Sequence, residues 1–184
     1  NVSPDFWYSS EESFDRYDPF HFAVYRSDRK HKKFNMLEFA REMNRLKLAK
    51  SANPEEEANR CFALANGYYY LTYYGDGWDY MNNTKSYSPN PVMSLVTNMN
   101  DVWLGCSRAK EYFELALKYT EDKDLAYACA VRMVNCDGVK YKESSAFRAL
   151  KSKGFDTAEW LSCESHCENM IHFVSRANSR IPGF

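Results

Sequence analysis

What this chain lacks narrows its class before any motif is read. No hydrophobic run approaches the roughly 20 apolar residues that span a bilayer, so no membrane span is expected. Charge of one sign is missing as well. The 24 basic residues face 25 acidic ones, a net charge of -1, so no global field draws the chain to nucleic acid or to an anionic surface. The basic run from Arg26 to Lys33 is short and interrupted by Asp28, which makes it a solvated linker rather than a phosphate-binding patch. Glycine is scarce, at seven residues, and none of it forms a phosphate-cradling loop. There is no Gly-x-Ser-x-Gly elbow and no cysteine in a recognisable protease setting. Cys-x-x-Cys is absent too, which weakens a zinc or thioredoxin-type reading. No cofactor is expected. The chain opens Asn-Val-Ser with neither an initiating Met nor a signal peptide, and so reads as processed or as a piece of a longer precursor.

What is present is aromatic. Tyrosine alone contributes 14 residues, and a tyrosine packs its ring while keeping its hydroxyl near water or a partner. That composition suits interlocked helices or a surface that binds proteins or glycans. Residues 1–34 show no helical period but carry Phe6, Trp7, Tyr8, Phe14, Tyr17, Phe20, Phe22 and Tyr25. They are expected to form an irregular aromatic-rich leader packed on the body, with Phe20 to Tyr25 as a short extended segment. Residues 35–184 then read as one helical domain.

Asn35 followed by Glu38 is a capping-box pattern, and Met36, Phe39, Ala40, Met43 and Leu46 share one helical face. Pro54 and three glutamates open the next helix, which runs into the tyrosines that end at Tyr74. Its apolar residues fall on two faces: Ala58, Cys61, Phe62, Ala65, Tyr69 and Thr72 on one, Leu64, Tyr68 and Leu71 on the other. A helix apolar on two faces is buried between neighbours. Gly67, in mid-helix, costs about 1 kcal/mol relative to Ala, and a closely packed neighbour is the expected compensation.

Gly75 to Pro91 is a long loop. A helical stretch from Val92 to Thr120, broken near Asn98 to Asn100, follows it, with Val102, Cys106, Ala109, Phe113 and Ala116 in one stripe. Another helix buries Ala126, Cys129, Ala130 and Met133. A short one starts at Ser144 and stops at Gly154. The last starts at Asp156 and carries Trp160, Cys163, Cys167, Met170, Ile171 and Val174 on one stripe. The expected fold is therefore all-α, with about six antiparallel helices in stacked tetratricopeptide-like hairpins. The six cysteines read mainly as buried thiols, with one or two disulfides left open by the even count.

Ala109, Phe113 and Ala116 match the Ala-x3-Phe-x2-Ala spacing of the second helix of a tetratricopeptide unit, although Glu121 stands where that repeat has proline. Asp18-Pro19-Phe20, Phe39 to Leu46, Tyr70 to Gly75, and the ending from Phe147 to Val174 together resemble the C-terminal part of uncharacterised exported helical-repeat proteins of Bacteroidetes-type bacteria. The resemblance implies a helical-repeat fold and a periplasmic or cell-surface location, and it brings no catalytic residue with it.

On the last helix, His166 and His172 do not share the face of Cys163 and Cys167, and both cysteines lie on the apolar stripe, so core packing outweighs metal binding and no metal site is expected. Asp76 and Asp79 flank Trp78, an arrangement that would suit a glycosidase, but aspartates beside glycine are ordinary turn residues. Trp78, Tyr80 and Tyr87 with Asp76 and Asp79 form the candidate ligand loop, where aromatic rings would stack on sugars. The leading expectation is a non-enzymatic helical-repeat module that binds proteins or scaffolds a cell-envelope assembly. Carbohydrate binding at the Trp78 loop is the alternative, and glycoside hydrolysis a remote one.

Overall fold

The computed structural model describes residues 14–24, 29–77, 106–138, 140–163 and 167–181. Among these the chain is all-α in class, with seven α-helices and two four-residue strands. Strands β1 (Phe14–Tyr17) and β2 (His31–Phe34) pair antiparallel, with Phe14 opposite Phe34 and Tyr17 opposite His31. The strands thus flank Phe20 to Val24 instead of including it. Asp18 is the reason: its carboxylate accepts from the Phe20 N–H at 2.9 Å and its carbonyl from the His21 N–H, which turns the chain out of the ladder.

Helix α1 (Met36–Leu48) begins on a complete capping box: Glu38 N–H donates to Asn35 at 2.8 Å and Asn35 N–H donates back to the Glu38 carboxylate at 3.0 Å. Helix α2 (Pro54–Tyr70) is capped by Asn53 and carries Glu55, Glu56 and Glu57 in its first turn. Its two apolar faces enter two cores. Cys61, Phe62, Ala65 and Tyr69 join a large one, while Ala63, Leu64 and Tyr70 join a smaller one with Phe20, Phe34, Phe39, Met43 and Leu46. Arg60 ties α2 to α1 by donating to the Leu46 carbonyl at 2.7 Å.

Helix α3 (Ser107–Tyr119) packs on α2, and α4 (Lys123–Asp137) packs on α3. A helix cannot run through Cys106, whose φ of 51° is left-handed, so α3 starts after it, whereas the expected break near Asn98 to Asn100 lies outside the described residues. Helices α5 (Ser145–Ser152) and α7 (Cys167–Asn178) both contact α4, and α6 (Thr157–Ser162) contacts α5. The expected last helix is therefore divided. At the end of α6 the Ser162 hydroxyl donates to the Glu159 carbonyl at 2.6 Å, and the Cys163 N–H bonds Trp160 in a tightened turn. That division accounts for seven helices against about six expected.

Two charged pairs fix α7 on the start of α4. Arg176 reaches Asp124 at 2.7 Å and Arg180 reaches Asp122 at 2.7 Å. No helix among the described residues is long and apolar enough to cross a membrane.

Candidate functional site

Of the five residues of the expected ligand loop, Asp76 is described; Trp78, Asp79, Tyr80 and Tyr87 lie outside the described residues. Asp76 sits just past the end of α2. There the chain doubles back over Tyr70, and the Gly77 N–H donates to the Tyr70 carbonyl at 2.8 Å. A Cβ on Gly77 would stand 2.3 Å from the Tyr70 ring, so the turn needs glycine for close approach. The turn carries the Asp76 carboxylate to Arg29, which donates to it at 2.6 Å.

This ion pair stands at one side of a cavity of about 60 Å³ between the β-hairpin, α2 and α4, whose wall also includes Asp18, Lys30, Asn66 and Arg132. By the usual volume of a water-sized site, that is room for about four or five small groups. The feature that distinguishes the cavity is Arg132. Phe22 covers one side of its guanidinium, with the ring centroid 3.8 Å away, and Tyr69 stands 4.1 Å away. The Arg132 Nε is buried without a hydrogen-bond partner. Among the described residues no carboxylate forms an ion pair with Arg132. Burial holds the guanidinium below its ordinary pKa, opposed by the neighbouring Tyr69 and Cys136.

Each wall residue has a local cause. Phe22 is held by α7: the Asn178 carboxamide accepts from the Phe22 N–H at 3.0 Å and donates to its carbonyl at 2.7 Å. Asn66 is 3% exposed and donates to the Phe20 carbonyl at 3.2 Å, which leaves its own Oδ1 buried and without a donor. A carbonyl can only accept, so this contact also fixes which way the amide points. Asp18 and Asn66 thus flank the Phe20 peptide, one on its N–H and the other on its C=O. Tyr69 lies three residues beyond Asn66 on α2 and so shares its face.

Beneath Tyr69, Cys106 and Cys136 hydrogen-bond one another. That contact, with one from Thr72, lowers the Cys106 thiol, and it raises Cys136 with help from burial. Burial pushes the Tyr69 phenol up, and Arg132 pulls it back. Cys61, Cys106, Cys129, Cys136 and Cys163 are all buried. Cys163 turns its thiol to the Glu159 carbonyl and His172 is exposed, while the side chains of His166 and Cys167 lie outside the described residues. No group of three metal-ligating side chains occurs among the described residues.

Arg132 escaped the sequence reading, although a signal was present. From Leu125 to Val134 it is the single charge in a helix that is otherwise apolar on every side. Its partners Phe22 and Tyr69 come from distant segments, which no spacing rule connects. No protein-family model, curated protein or solved structure matches the chain.

Proposed function

We propose that this chain is a non-enzymatic helical binding module and that the cavity beside Arg132 is its ligand site. One observation carries the reading: a guanidinium packed against two aromatic rings, with no carboxylate partner among the described residues. Arg132 is half-buried with its Nε fully enclosed, so it bears part of the cost of leaving water, a cost normally offset by an anion at close range. Here the offset falls to a ligand that brings the anion. The N–H groups of a guanidinium lie in a planar fork that matches a planar carboxylate. The resemblance to exported helical-repeat proteins supports a cell-envelope setting, in which such a module presents its bound ligand to a larger protein assembly.

The test is thermal unfolding in the presence of small carboxylates, acetate and glycine among them, with chloride holding the ionic strength constant. A ligand that binds only the folded state raises the melting temperature along a saturation curve. At least one carboxylate should do so, and Arg132→Met should abolish the effect. If neither acetate nor glycine produces a saturable shift, the cavity is not a ligand site.

A further inference from the structure

The cavity beside Arg132 presents both signs of charge, and this narrows the ligand further than a carboxylate alone. Resting on the reading above, we infer that the site takes a free α-amino acid, with its carboxylate at Arg132 and its ammonium group between Asp18 and Asn66. The argument begins with the wall. Arg29 and Asp76 satisfy one another at 2.6 Å. Of the remaining groups, Lys30 is exposed to solvent and Arg132 supplies donors at one end. At the other, Asp18 spends one carboxylate oxygen on the Phe20 N–H, and Asn66 keeps an Oδ1 with no donor.

A simple carboxylic acid would satisfy Arg132 and leave these acceptors facing an apolar methyl group. A simple amine would do the reverse and leave the guanidinium uncompensated. A buried polar group left without its partner is penalised in either case. The two ends are also close. Asn66 and Tyr69 are neighbours on one face of α2, about 5–6 Å apart at Cβ, and Tyr69 packs against Arg132. An α-amino acid head group carries both charges on adjacent atoms, and its five heavy atoms fit a cavity of about 60 Å³. A peptide of two or more residues has more heavy atoms than a cavity of about 60 Å³ takes.

Calorimetric titration of the full chain with glycine, acetate, glycinamide and diglycine tests this. Glycine should bind about 10- to 100-fold more tightly than each of the others, the worth of one charge-assisted hydrogen bond. Asp18→Asn keeps an acceptor for the Phe20 N–H while removing the charge. It should weaken glycine about tenfold and leave acetate unchanged or tighter. Because the comparison among ligands is made on the wild-type protein, it does not depend on a variant folding. Acetate binding as tightly as glycine would overturn the amino-acid inference and leave the carboxylate site standing. Glycinamide or diglycine equal to glycine would overturn it as well. If neither acetate nor glycine binds, both readings fall.

Discussion

Replacing Arg132 with methionine separates a guanidinium kept for a ligand from one that braces the fold. Two contributions are lost. Two cation–π contacts, one with Phe22 and one with Tyr69, contribute about 1–2 kcal/mol each. Two are recovered. The desolvation penalty of the cation, several kcal/mol, disappears, and the methionine sulfur packs on the same two rings for about 0.3–1.5 kcal/mol apiece. Methionine is also unbranched and follows much of the path of the arginine stem, so it leaves little cavity. The sums nearly cancel, and the unliganded variant should lie within about 1 kcal/mol of wild type. Urea unfolding followed by tryptophan fluorescence reads this as a small change in midpoint at constant slope. A loss of about 3 kcal/mol or more, the usual penalty for breaking a compensated buried charge, would refute the reasoning, because it would show that the protein itself compensates the cation.

Two other perturbations test how the site is supported. Gly67→Ala gains about 1 kcal/mol of helix propensity but places a Cβ 2.4 Å from the Met43 sulfur and 3.0 Å from the Phe20 ring. Overpacking of that kind costs about 1–3 kcal/mol, so a net loss near 1 kcal/mol is expected; in a Met43→Ala background the same change should be neutral or stabilising, and strictly additive effects would count against the contact. Glu57 is held at a pKa of about 2, below its ordinary 4.5, by the hydrogen bond from Arg60, which outweighs burial and is assisted by Ser51. Because the folded pKa is the lower one, the stabilisation is complete above pH 4.5 and is lost as the pH falls toward 2. The side chain is 25% exposed, so solvent screening reduces the contribution to about 1 kcal/mol. Urea midpoints measured from pH 5 down to 2.5 should fall more steeply for wild type than for Glu57→Gln, and parallel curves would refute the pairing.

The parts of this fold legible in the sequence are those decided within a turn or two of helix. Asn35 and Glu38 cap α1 because the reciprocal bonds span three residues, and the two faces of α2 follow from a period that needs no knowledge of the partners. Periodicity misled where a local side chain interrupted it. The stripe from Trp160 through Cys163 to Met170 continues across the division between α6 and α7, and nothing in that stripe reveals the Ser162 hydroxyl turning back to Glu159. Of the expected ligand loop, Asp76 is the one position among the described residues. Its neighbours in sequence drew attention to the loop beyond it, whereas its partner in space is Arg29.

Arg132 shows why the site had to be found by packing rather than by motif. A cation in the middle of an apolar helix contradicts the pattern around it, and a stability argument alone favours an apolar residue of the same shape there. Phe22 and Tyr69 do not remove that contradiction, since aromatic faces supply less than water does to a guanidinium. The same contradiction recurs at Asn66, an amide that α2 sets beside Phe62, Ala63, Tyr69 and Tyr70, with its oxygen unsatisfied. Two locally unfavourable choices, one lacking an anion and the other a donor, meet in the wall of one cavity. Positions where sequence and stability disagree tend to be functional, and a single ligand carrying both missing groups resolves the two at once.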